Sequence, residues 1–402
     1  MSEHFQFTSG QKRNAFILMG IGALTLVIGI IMALSGNHTM QEKIWTGILT
    51  NNMFFLGLSL AGLFFIAVNY IGYGGWYVTV KRIPEAMSMF IPYMGVGMLV
   101  ILIGLWAHWH HIYHWAAEGI ADPNSPNYDR LIAGKVSYLN KPFFTIRIIA
   151  YFAIWTFFAY SLRRLSIQED QLGGVSQYNK SKVLAAVFLI FFGITSSSMS
   201  WDFVMSIDSH WYSTLFGWYT FSTLFVSGIA AIILFTIFLK SKGYLPQVNQ
   251  EHLHDLGKFM FAFSVFWAYL WFSQFMLIWY ANIGEATAYF KARLDHYPFL
   301  FYMILVINFV VPFFALMTRN SKRQMGTLAT IAVIVLIGHW FDYFLMIIPG
   351  ATGNEASFGI FEIGLTIGYA GLFLFVVLKE LTKTSLVAAK HPFFKESLEH
   401  HT

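Results

Sequence analysis

Ten apolar runs of roughly 18 to 25 residues divide this chain, and each is long enough to cross the ~30 Å hydrocarbon core of a bilayer as an α-helix. They fall near residues 15–34, 53–73, 86–107, 143–162, 183–204, 214–239, 258–280, 297–317, 325–347 and 358–378. With 57% hydrophobic and 11% charged residues among 402, the chain is too apolar for a soluble domain. The expected fold is therefore all-α and integral to a membrane. An N-terminal segment (1–14) precedes a ten-helix membrane domain (15–380), and a C-terminal tail (381–402) follows. The first run sits behind Lys12 and Arg13 as in a signal sequence, but it spans about 20 residues and lacks a clear small-residue cleavage site. It is expected to be a retained helix.

The formal charge of +5 points to orientation rather than to nucleic acid, because the basic residues sit in short loops between apolar runs. Eighteen of the 25 Lys and Arg fall on the side that carries both termini and six on the other, so both termini are expected in the cytoplasm. Membrane lipid is the first expected partner. The absence of cysteine excludes disulfides, iron–sulfur ligation, a Cys-x-x-Cys-His haem attachment and a cysteine nucleophile in this chain.

Helices two to five can be laid over helices six to nine. Asn140-Lys141-Pro142-Phe143 opens a helix in the first set, as His296-Tyr297-Pro298-Phe299 does in the second. The next helix of each set ends in Trp201-Asp202-Phe203 or Trp340-Phe341-Asp342. An even number of helices separates the copies, which implies two four-helix bundles of shared orientation, with helices one and ten peripheral. The alternative is that Trp, Pro and Phe recur at membrane interfaces without any repeat.

Ionisable residues within lipid are costly and mark function or a buried pair. Asp202 shares a helix face with Thr195, Ser198 and Ser206, and Asp208 and His210 follow. His339 and Asp342 share a face of helix nine, Glu362 lies near the outer end of helix ten, Glu285 follows helix seven, and Arg147 lies about a turn inside helix four. Counted at 1.5 Å per residue, these groups gather toward the outer surface. The inner half offers neutral groups such as Asn69, Ser264 and Tyr269. One reading is an outward-facing proton-transfer or quinone-headgroup site. The other is that Arg147 pairs with an acid and the rest cap helix ends. His108, His110, His111 and His114, among Trp106, Trp109 and Trp115, read as a wet aromatic belt rather than a metal site.

The segment Ser200-Trp201-Asp202-Phe203-Val204-Met205-Ser206-Ile207-Asp208-Ser209-His210-Trp211 resembles the F subunit of bacterial alternative complex III, a quinol:cytochrome c oxidoreductase. Residues 138–147, ending in Arg147, and residues 266–282, with Glu285 after them, share the resemblance, which spans about residues 15 to 380. It implies a quinone-binding subunit 2 of the NrfD-like type, related to the membrane anchors of polysulfide- and nitrite-reductase-type complexes. A sister subunit of the same fold would lie beside it in the bacterial inner membrane, with iron–sulfur and c-type cytochrome subunits on the periplasmic side. Haem c and iron–sulfur clusters are expected in those partners, and quinone is the only cofactor expected near this chain. The resemblance makes Asp202, Asp208, His210, His339 and Asp342 a proton-handling or quinone-proximal face. The sister subunit's histidine, six residues before the matching aspartate, is Ser196 here, which argues against quinol oxidation by this chain itself. The expected function is that of a non-catalytic subunit of the oxidoreductase. The rival is a stand-alone secondary transporter, for which Pro312 in helix eight lacks a matching break near Trp155.

Overall fold

The computed structural model describes residues 4–353 and 358–401, and among them ten helices are long and apolar enough to cross a membrane. In chain order they are α1 (Ser9–Leu34), α2 (His38–Ile71), α3 (Arg82–Trp106), α4 (Lys141–Leu172), α5 (Val175–Ile207), α6 (Leu215–Ser241), α7 (Gln250–Ala281), α8 (Pro298–Ala315), α9 (Met325–Thr352) and α10 (Ile360–Leu381). All ten coincide with the apolar runs.

Their ends run beyond the apolar stretches wherever a cap or turn continues the backbone bonding. Helix α1 starts at Ser9 because Thr8 and Gln11 form a reciprocal capping box. Asn37 starts α2 by accepting from the Met40 amide at 3.0 Å. The polar stretch between the fourth and fifth runs is a helical hairpin rather than a loop. It turns on Gly173 and Gly174, whose φ of 70° and 76° suits residues without a Cβ. Helix α8 is interrupted by a π turn at Val306–Val310. Pro312 has no N–H to offer the carbonyl of Asn308, and its ring crowds that carbonyl, so the helix widens there.

Helices α2, α6 and α9 form the centre, with 83%, 83% and 72% of their apolar windows buried, against 11% for α1. Helix α6 packs on α2, α7 and α9, while α2 also meets α3, α5 and α9. Helix α1 lies along α10, and the pair rests on α2. Glycines make that seam: the backbones of Gly22 and Gly368 touch, and a Cβ at Gly371 would stand 2.8 Å from the Met19 amide nitrogen. Small residues permit this approach, and van der Waals contact holds helices together where lipid removes the hydrophobic drive. The other side of α1, with Ile17, Leu24 and Ile31, is exposed for lipid.

Both ends of the chain lie at one end of the helix array, where His4 bridges to Ser385 and the Gln6 amide donates to the Tyr244 hydroxyl. A buried charge cluster ties α3, α4 and α10 together there. Lys81 pairs with Glu169 at 2.9 Å, Arg82 with Glu85 at 2.7 Å and with Asp170, and Arg163 with Glu380 at 3.5 Å. Ser166 accepts from Arg82 at 2.7 Å and bonds Glu85. This end is thus richly charged, with Glu85 lying just ahead of the apolar run assigned to helix three.

The C-terminal tail straps across the same end. Ser397 donates to the Trp76 carbonyl at 2.9 Å, His400 meets Asp255 at 2.8 Å, and Lys390 donates to the Gln171 carbonyl at 2.7 Å. His391 is buried among Tyr70, Tyr77 and Tyr178. Burial, reinforced by Lys81 and Arg82, pushes its imidazole down from 6.5 to about 2. Below pH 6.5 the undocked tail binds a proton that the docked tail refuses, so docking is strongest above that pH and weakens progressively as pH falls below it. Limited proteolysis of the tail should therefore be faster at pH 5.5 than at 7.5. His391→Phe should flatten that dependence, separating it from the contribution of His400.

Candidate functional site

The end opposite the termini holds the acids singled out in the sequence, and the structure divides them. Asp202 ends the α-helical part of α5, fully buried, and is neutralised by Arg147 of α4. The guanidinium donates to both carboxylate oxygens, at 2.9 and 2.8 Å, and the Tyr151 hydroxyl donates to one of them at 2.7 Å. Asn140 starts α4 by accepting from the Phe143 amide, with Pro142 in the first turn, and so places Arg147 against α5. Arg147 also donates to the Tyr138 carbonyl at 3.0 Å and stacks on the Tyr138 and Phe143 rings. Buried as it is by a two-pronged ion pair, Asp202 clamps α4 to α5.

Asp342 on α9 is equally buried but is held by neutral donors. The Trp267 indole donates at 2.8 Å, the Thr223 hydroxyl at 2.9 Å, and the Tyr219 hydroxyl also donates, so α6, α7 and α9 meet at one carboxylate. Among the described residues its only ion-pair partner is His339, whose Nδ1 lies 3.7 Å away. Both ring nitrogens of His339 are buried without a hydrogen-bond partner, as are Asn308 Oδ1 and Nδ2 in the π turn of α8, Ser264 Oγ and Gln274 Oε1. Asn308 lies against Gly338, and Trp267 meets His339 edge-on at 5.4 Å. A cavity of about 20 Å³ touches Asp342, Tyr219, Gln274 and Arg293. That is room for about one water, which needs ~10–15 Å³ and two to four polar partners. It is too small for a quinone ring, and Asp202 is already covered by Arg147 and Tyr151.

The remaining candidates scatter. Arg293, on the loop helix Gly284–His296, donates to Asp208 at 3.0 Å and to the carbonyls of Leu345 and Met346 at 2.9 and 3.0 Å, tying that helix to α9 at the end away from the termini. His210 meets Asp129 at 2.6 Å in the loop region, and that hydrogen bond holds the Asp129 carboxyl below its usual range. Glu285 is exposed. Glu362 bonds the Gly359 amide at 2.8 Å as an N-terminal cap of α10 and lies 3.7 Å from Lys43. His108, His110, His111 and His114 line a loop pocket of about 520 Å³ with Glu118 and Lys141. Among the described residues no group of three or more His, Asp and Glu is arranged to hold a metal.

Sequence reasoning singled out neither Tyr219 nor Gln274 nor Asn308. Trp267 and Gln274 lie in the aromatic stretch 266–282, and Pro312, four residues after Asn308, was the available signal for a widened helix there. No family model matches the chain, and no curated protein is detectably similar to it. If the Arg147–Asp202 pair is a clamp, Arg147→Met should destabilise the protein by ~3–5 kcal/mol by stranding a buried carboxylate. The double change Arg147→Met with Asp202→Leu should recover much of that loss in thermal unfolding of the purified protein.

Proposed function

We propose that this chain is a non-catalytic membrane subunit of a quinol:cytochrome c oxidoreductase of the alternative complex III type, set in a bacterial inner membrane with both termini in the cytoplasm. Helices α2–α5 and α6–α9 act as two four-helix units flanked by α1 and α10. Quinol oxidation belongs to partner subunits that carry iron–sulfur clusters and haem c, beside a sister subunit of the same fold. This chain supplies helix packing in its first unit and a polar, water-accessible site at His339–Asp342 in its second.

The observation that carries the reading is that each of the three stretches on which the resemblance rests places a side chain on a buried carboxylate, at two separate sites. Arg147 of the first stretch grips Asp202 of the second. Trp267 of the third donates to Asp342, which Tyr219 of α6 also bonds. Scattered interfacial residues have no reason to meet in this way. The transporter reading loses support from helix continuity. Helix α8 is broken at its π turn, whereas α4 runs unbroken from Lys141 to Leu172, so the matched breaks of a transporter's two halves are lacking.

Purification of the full chain from its native membrane in mild detergent is the test. The expected result is co-purification with c-type haem, visible as an α-band on reduction, and with quinol:cytochrome c activity. A haem-free, isolated chain that moves a solute in vesicles would overturn the proposal.

A further inference from the structure

We propose that the groove between the α1–α10 pair and helices α2, α6 and α9 binds an anionic diacyl phospholipid, with its headgroup at the end that carries the termini. The groove encloses about 850 Å³ and is walled by apolar side chains, among them Phe54, Phe55, Ala231, Phe235, Phe341 and Ala370. Such walls exclude water. Because the walls are membrane-spanning helices, the material that fills the space comes from the membrane. Along α10 the lining runs from Ile363 to Leu378, about 22 Å at 1.5 Å per residue. A chain from one leaflet needs to reach only about 15 Å, half of the hydrocarbon core.

The two ends of the groove differ, and the difference selects the occupant. The end away from the termini is lined by Phe358, whose ring packs on Phe341 at 5.1 Å and on Trp340 at 6.0 Å. The other end is lined by Gln11 and Asn14. Two cations bracket it: Lys12 lies over the Phe7 ring at 5.6 Å and Lys379 over the Phe375 ring at 5.8 Å, and those two rings meet at 5.8 Å. Among the described residues no carboxylate lines the groove. Deeper in, the Trp340 indole N–H is spent on Asn51 and the Thr366 hydroxyl on the Glu362 carbonyl, so neither is left to donate to a quinone ring. A paired-chain lipid with a negative headgroup matches the apolar depth and the basic mouth together. This assignment is independent of the proposed function.

The test is native mass spectrometry with lipid analysis of the full chain purified in mild detergent. Wild type should carry an anionic phospholipid enriched above its share of the membrane. Ala370→Trp, which fills the groove, should lose it. The double change Lys12→Glu with Lys379→Glu alters only exposed side chains and leaves the helix packing intact. It should weaken the preference for anionic over zwitterionic lipid by about tenfold or more. A wild-type protein without enrichment, an isoprenoid quinone as the bound species, or an anionic preference unchanged by the double charge reversal would each overturn the proposal.

Discussion

Every polar group placed in lipid must find its partner inside the protein, and this constraint organises the molecule. It accounts for the helices, whose backbone groups satisfy one another, and for the widening of α8 just ahead of Pro312, where one amide is missing. It also explains why charge within the array is gathered rather than spread. Lys81, Arg82, Glu85, Arg163 and Glu169 are paired at one end, and Arg147 with Asp202 and Arg293 with Asp208 at the other. Apart from Arg82–Glu85 within α3, these pairs join separate elements, so neutralising the charge also fixes the packing.

Against that background Asp342 and His339 stand apart. Their neighbours supply neutral donors to the carboxylate and none to the imidazole, and a small cavity reaches the carboxylate from the side of Arg293. The two Trp/Asp helix endings thus differ physically. Asp202 has a guanidinium from α4, whereas α8 sets the amide side chain of Asn308 against Gly338 of α9 in a widened turn. Asp202 is held in a clamp, whereas Asp342 has neutral donors and a water-sized cavity beside it.

The spans were legible because a run of apolar residues at bilayer length is rarely stable anywhere but in lipid. The hairpin joining α4 to α5 was not, since hydropathy registers the part of a helix inside lipid and is blind to its polar continuation. The pairing of Arg147 with an acid was one of two readings open in the sequence. The cluster around Glu85 was hidden because Lys81, Arg82 and Arg163 look like orienting surface charges until their acidic partners, far away in the chain, are brought against them. Asn308 and Gln274 were illegible for a different reason: a single amide in an apolar run carries no sign of whether it is satisfied. Glu362 reads as an intramembrane acid by position, yet its bond to the Gly359 amide makes it a helix cap.

The contrast between the two aspartates is the central claim, and paired Asp→Asn substitutions test it most directly. Asparagine keeps the shape and can still accept from Trp267 and Thr223, but it carries no charge to hold a guanidinium. In the purified form of the complex proposed above, melting temperature and proton release per cytochrome c reduced should separate the two sites. Asp202→Asn should lower the melting temperature while the complex that assembles keeps its proton release, and Asp342→Asn should keep the melting temperature while proton release falls. Equal effects of both substitutions on both quantities, or unchanged proton release in Asp342→Asn, would contradict the account.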